Sequence, residues 1–372
     1  MSQAGRPADP DAHTPLAPAR GGRRVADPGG VEELARALRA GELTPTALLE
    51  RYLARIEEVD AEVEAWCRVD AQRARTEAQL LSEEAARGHF RGPLHGLPLA
   101  VKDIVDVEGM QTVARCRARA DIAPATADAE VVAALRQAGA LVLGKAHTTE
   151  FAYFDPSPAR NPHALEHTPG GSSSGSAAAV AAGMAPLALA TQTVASTNRP
   201  AAYCGIAAFK PSTQLTSLHG LLPLAPSIDT VGCYARDVAG AVALFEAMCP
   251  PPLRHAPPAP PPPETLSVVR IEDPILEEGD PESLAVAQRT QERLEAHGHR
   301  VRTLRAPEPF EELLELNLFV LRYEAGRIHR HLLELAEDQV GVKLRELLEQ
   351  GLALEPQAYA QARRRITAAR ES

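Results

Sequence analysis

Two successions of a helix-periodic stretch and a short apolar run constrain this chain more than any other feature: residues 71–86 leading to 97–105, and 129–138 leading to 140–143. Gly139 stands at the second junction, where a helix commonly stops. Each apolar run is too short for a buried helix and fits a buried strand. Helix and strand in repeated alternation predict an α/β fold.

The flanks extend that grammar. Residues 31–39 and 44–59 carry apolar positions at helical spacing, with Thr44-Pro45 as N-cap and first-turn proline and Leu48, Leu49, Tyr52, Leu53 and Ile56 on one face. Further on, 266–271 reads as a strand, 281–297 as a helix, 300–304 as a strand, and everything from 310 onward as helical. Residues 1–26 are rich in proline, alanine and arginine with no apolar core for a signal peptide, so they are expected to be a disordered tail. One domain is expected over 27–372, crossed by a proline-rich surface connection at 250–263.

Charge and cysteine usage exclude several functions. The formal net charge is -10, and arginines are scattered among acids rather than gathered in a stripe, which argues against a nucleic-acid partner. The longest apolar stretch, 177–190, is broken by Gly183 and Pro186 and is too short for a bilayer. Five cysteines (Cys67, Cys116, Cys204, Cys233, Cys249) lie far apart without CxxC pairing, as expected of a cytoplasmic protein.

The candidate chemistry lies between Gly170 and Pro200. Pro169-Gly-Gly-Ser-Ser-Ser-Gly-Ser176 precedes a small-residue stretch that reads as a helix starting near Ser176. Such a run is commonly a flexible linker, but here it abuts a packed-looking helix, and its glycines would let the backbone approach a ligand. It lacks the GK[ST] ending of a phosphate loop. Ser196 follows in Thr191-Gln-Thr-Val-Ala-Ser-Thr-Asn-Arg-Pro200, with no G-x-S-x-G elbow to suggest a Ser-His-Asp arrangement. Another base is needed.

Lysine supplies a candidate. Only four of 39 basic residues are lysine: Lys102, Lys145, Lys210 and Lys343. Arginine keeps its proton, whereas a buried lysine can be held neutral and act as a base. Bringing lysine from about 10.4 to near 7 disfavours its charged form by roughly 4 kcal/mol, which burial at a strand end can supply. The competing reading is a surface lysine at a strand terminus. His163-Ala-Leu-Glu-His167 matches the H-x-x-E-H zinc pattern, but Asn161-Pro162 and Thr168-Pro169 leave barely one turn of the helix that pattern requires, so no metal or other cofactor is expected.

In this order these pieces resemble the amidase signature family: Gly-Leu-Pro-Leu-Ala-Val-Lys102-Asp, Gly170-Gly-Ser172-Ser-Ser-Gly-Ser176, Ser196, Ala201-Ala-Tyr-Cys-Gly205 and Phe209-Lys-Pro211. Leu143-Gly-Lys-Ala-His-Thr-Thr-Glu-Phe151 and Pro223-Leu-Ala-Pro-Ser-Ile-Asp-Thr-Val-Gly232 extend the likeness. The resemblance implies the amidase-signature fold, a twisted central sheet of mixed strand directions flanked by helices on both faces, and a Ser-cisSer-Lys triad. Ser196 aligns with the nucleophile, Ser172 with a bridging serine after a cis bond from Gly171, and Lys102 with the base. It implies an oxyanion hole of backbone N–H groups from Thr193, Val194, Ala195 and Ser196, and loop or substrate contacts from Gly170, Gly171, Ser173 and Arg199. Arg199 is read either as a clamp for a substrate carboxylate or as a partner of a core-edge acid.

The implied activity is hydrolysis of a small non-peptide amide to an acid plus ammonia or amine through an acyl-enzyme, with a homodimer left open. Three departures accompany the likeness. Val194-Ala195 stands where relatives carry Gly-Gly or Ala-Gly, which would strain the loop if either residue needs positive φ. Ala114-Arg115-Cys116 replaces a small Gly/Ser-rich segment. The chain stops before the C-terminal strands expected of the family, so those strands are expected to be missing. The alternatives are a catalytically impaired or inactive amidase-like protein, and an amidotransferase-type subunit, although such subunits typically carry Asp where Gln192 stands.

Overall fold

The structure, a computed structural model, describes residues 29–249, 264–306 and 310–371. The expected tail at 1–26 and the connection at 250–263 lie outside the described residues. The elements in chain order are α1 (Val31–Arg39), α2 (Pro45–Val63), β1 (Trp66–Val69), α3 (Ala71–Ala86), β2 (Pro98–Lys102), α4 (Glu130–Gln137), β3 (Leu141–Ala146), α5 (Ser174–Ala181) and β4 (Leu187–Gln192). After them come α6 (Asn198–Cys204), β5 (Ala207–Phe209), β6 (Thr230–Ala235), α7 (Val238–Met248), β7 (Ser267–Glu272), α8 (Pro274–Glu277), α9 (Pro281–Ala296), β8 (Arg300–Arg305), α10 (Phe310–Ile328), α11 (Val342–Leu352) and α12 (Pro356–Glu371).

Local chemistry accounts for several boundaries. The Thr44 hydroxyl accepts from Ala47 N, so the cap and proline start α2 where the sequence places them. Asp70 caps α3 through Arg73 N, and Asp237 caps α7 through Gly240 N. Leu48, Leu49 and Tyr52 of α2 are almost fully buried, as its apolar face requires.

The central sheet has six strands in the order β1-β3-β2-β4-β6-β5. Strand β2 runs parallel to β3 and β4, while β1 is antiparallel to β3 and β6 is antiparallel to both β4 and β5. The sheet is therefore mixed, as expected. Every residue of β2, β3, β4 and β6 is buried. Because successive side chains point to opposite faces, this means both faces of the sheet are covered. A separate two-stranded parallel sheet joins β7 and β8.

The C-terminal helices are fastened to the first part of the chain by polar contacts. Glu150 Oε2 accepts from Gly341 N at 2.9 Å, Asp155 Oδ2 from Leu344 N at 2.9 Å, and Glu324 Oε2 from Ser227 N at 3.0 Å. His329 Nε2 lies 2.7 Å from the carbonyl of Pro223, and its ring packs edge-on against Phe151. No helix among the described residues is long and apolar enough to cross a membrane. No disulfide forms among the described residues.

Candidate active site

The parallel strands β2, β3 and β4 end on one side of the sheet, the side where open α/β sheets place ligands. Lys102 is the last residue of β2, fully buried, with Nζ 2.8 Å from Ser172 Oγ and 2.7 Å from Thr191 Oγ1. Both partners are neutral hydroxyls. Burial pushes the Lys102 pKa well below the ordinary lysine value, against the pull of the Asp229 carboxylate.

Lys145 on β3 forms a useful contrast. It is almost as deeply buried but faces a carboxylate, with Nζ 2.9 Å from Asp103 Oδ1 and 3.0 Å from Thr112 Oγ1. Burial raises the Asp103 pKa, and the Lys145 charge and hydrogen bond oppose the rise. Scarcity of lysine thus marks two buried amines with different surroundings, one ion-paired and one held by hydroxyls.

The serine run is not a linker. Its middle starts helix α5, and its serines are buried. Ser173 Oγ donates to Thr191 O and accepts from Thr191 N, each at 3.2 Å, and Ser176 Oγ donates to Leu189 O at 2.8 Å. These bonds seat α5 on β4 and aim Ser172 at Lys102. The Gly171-Ser172 peptide is cis. Gly170 adopts φ +80 against Pro200, and a Cβ at Gly175 would overlap the carbonyl oxygen of Ala65, so the glycines are needed for backbone close approach.

Ser196 occupies the half-buried turn between β4 and α6. Its flanks are held firmly. Gln192 Oε1 accepts from Thr197 N at 2.8 Å and Asn198 N at 3.0 Å, and the buried Tyr234 hydroxyl donates to Thr197 O at 2.6 Å. Among the described residues the Ser196 hydroxyl itself makes no hydrogen bond; Lys102 and Ser172 touch directly, while Ser196 is held in its turn through its carbonyl, which accepts from the Tyr234 hydroxyl at 3.3 Å.

The Val194–Ala195 departure does not strain this turn. Neither residue has positive φ. The side chains of Gln192 and Tyr234 hold the turn from both sides, and it bends without left-handed residues. The N–H groups of Val194, Ala195 and Ser196 donate to no acceptor among the described residues. Thr193 is anchored through its hydroxyl to Asp229 Oδ1 at 2.6 Å, and Asp229 Oδ2 accepts from Leu224 N and Ala225 N, both at 2.9 Å. Burial raises the Asp229 pKa, with those hydrogen bonds acting against it.

Arg199 pairs with no acid among the described residues. Its Nε and Nη2 donate to Gly171 O at 3.1 and 2.7 Å, tying α6 to the loop that carries Ser172. Residues 163–167 form turns rather than a helix, and His163 Nε2 lies 2.9 Å from Cys204 O, so the two histidines of the zinc-like pattern are not set on one helical face. Thr191, Tyr234 and Asp229 join the site without a signal of their own in the sequence. Thr191 stands in a recognisable motif, but nothing local to a threonine shows that it faces a distant lysine.

The same fold and motifs occur in known proteins. The Amidase family model matches residues 47–368. A glutamyl-tRNA(Gln) amidotransferase subunit of Symbiobacterium thermophilum is 42% identical over 231 residues, which are 60% of this chain and 47% of that protein. The corresponding subunit of Roseiflexus sp. is 42% identical over 208 residues, 54% of this chain and 42% of its own length. The chain spans about half the length of these curated relatives. Among solved structures, an amidase superposes with a TM-score of 0.81 at 35% identity, covering 92% of this chain and 77% of that one. The peptide amidase of Stenotrophomonas maltophilia gives a TM-score of 0.76 at 30% identity over 90% of this chain and 78% of its own.

Proposed function

The chain belongs to the amidase family, and from that premise we propose that it hydrolyses a non-peptide carboxylic amide to an acid and ammonia or an amine through Ser196, Ser172 and Lys102. One observation carries the reading: a fully buried lysine whose amine is depressed in basicity and lies 2.8 Å from Ser172 Oγ. A neutral amine at that place is a base, and an ammonium would not be.

In the first step Ser196 Oγ attacks the amide carbon while its proton passes to Ser172 Oγ, whose own proton passes to Lys102 Nζ. The tetrahedral oxyanion forms against the uncommitted N–H groups of Val194, Ala195 and Ser196, which are donors of the kind such charge requires. Collapse breaks the C–N bond, and the relay returns the proton to the departing nitrogen. Water then repeats the sequence on the Ser196 ester and releases the acid. Thr191 Oγ1 accepts from Lys102 Nζ, which holds the amine beside Ser172. Ser173 and Arg199 fix the Gly170–Ser172 loop.

A second reading draws on the amidotransferase subunits found as relatives: a chain that releases ammonia for a partner protein. Its test is separable, since a free-standing hydrolase turns over simple amides alone. For the main reading, a fluorophosphonate probe should label the purified protein and fail to label Ser196→Ala. A folded wild-type protein that takes no label would sink it.

A further inference from the structure

Four non-glycine residues with left-handed backbone gather beside the Lys102 end of β2: Ala114 (φ 51), Arg115 (φ 55), Phe151 (φ 48) and Ala152 (φ 60). They are bonded together and to the site. Phe151 N donates to Ala114 O at 3.1 Å, and Ala114 N is held by Asp103, by its main-chain O at 3.1 Å and its Oδ2 at 2.9 Å. Asp103 directly follows Lys102, and Thr149 N donates to Ser172 O at 3.1 Å. The two strained pairs are therefore a wall fastened to both members of the Lys102–Ser172 contact. Such backbone persists only where its surroundings over-determine it, and it concentrates where ligands are gripped.

Arg115 is the charged residue of this wall. It is exposed, and its guanidinium makes no hydrogen bond or ion pair among the described residues. Its positive charge reaches His147, which follows the β3 partner of Lys102, and Glu150. The Glu150 carboxylate is already engaged by Gly341 N at 2.9 Å and by the Cys116 thiol. Arg199, the other arginine beside the site, is spent on Gly171 O. An uncommitted guanidinium on a backbone fixed through Ala114 to Asp103, the neighbour of Lys102, is complementary to a carboxylate.

Resting on the hydrolase reading above, we propose that Arg115 determines specificity by pairing with a carboxylate on the acyl part of the amide, so that the preferred substrates are anionic. Succinamate and butyramide, matched in chain length, form the test on the full chain. The expected result is a kcat/KM for succinamate at least about tenfold above that for butyramide, carried by KM, with the ratio falling to near one in Arg115→Gly. Glycine accepts the φ of 55 at this position, so Arg115→Gly should melt no lower than wild type. A merely structural arginine would move the melting temperature and leave the ratio alone. A ratio near one in the wild type, or an unchanged ratio in Arg115→Gly, overturns the proposal. If neither amide is hydrolysed, the hydrolase reading fails, and calorimetric titration still decides Arg115. Succinate should then bind more tightly than butyrate to wild type but not to Arg115→Gly, and equal binding to wild type overturns the proposal.

Discussion

The β2–β4 region and the β7–α9–β8 region are built from the same unit, parallel strands with a helix on the way, yet they differ in what lies inside. Every residue of β2 and β4 is buried, whereas neither β7, α9 nor β8 contains a buried residue. Ile271, Leu284, Val286 and Leu304 are all more than a third exposed. Strand pairing by itself therefore does not make a rigid platform. A buried amine needs dry walls on every side to lose its proton, and only the six-stranded sheet provides them.

The largest effect that can break this contrast is at Lys102. Lys102→Arg should lower kcat about as much as Lys102→Ala, on the order of 10²- to 10⁴-fold, because a permanent cation cannot accept the proton. Near-normal turnover in the Arg variant would refute the lysine's role. Next comes packing. Leu189→Ala in β4 should cost about 2–5 kcal/mol in denaturant unfolding, and Val286→Ala in α9 within about 0.5 kcal/mol. Equal losses would mean the two regions are equally packed after all.

The smallest effect concerns pH. Burial, with the Arg115 charge behind it, lowers the His147 pKa from 6.5 to about 4. The unfolded imidazole binds a proton near 6.5 and the folded one does not until about 4, so His147 removes stability as pH falls through that window. His147→Gln should flatten the decline in unfolding midpoint between pH 6.5 and 4. A decline as steep as that of wild type would show that this imidazole is not held neutral.

Much of the fold is legible in the residues. Helices Val31–Arg39 and Ala71–Ala86 fall where apolar spacing puts them, and β7 and β8 lie within a residue of their expected bounds. Strand β1 gives no such signal, because it is a four-residue edge strand with a register irregularity and no clean alternation. Strands β4 and β6 are buried on both faces, so they carry no period to detect. At the site, the rarity of lysine marks Lys102, but positive φ, the condition for strain at Val194–Ala195, is found instead at Ala114–Arg115 and Phe151–Ala152. Which residue takes positive φ depends on what surrounds the loop, and side chains remote in sequence set that here.

The bond from Arg199 to the carbonyl of Gly171 has a consequence for how such a protein can change. It links the segment bearing Ser196 to the segment bearing Ser172, so a shift in either drags the other with it. On the hydrolase reading proposed above, substrate range is free to drift in the surrounding wall, at positions such as Arg115, while Ser196 and Ser172 are inherited as one mechanical piece.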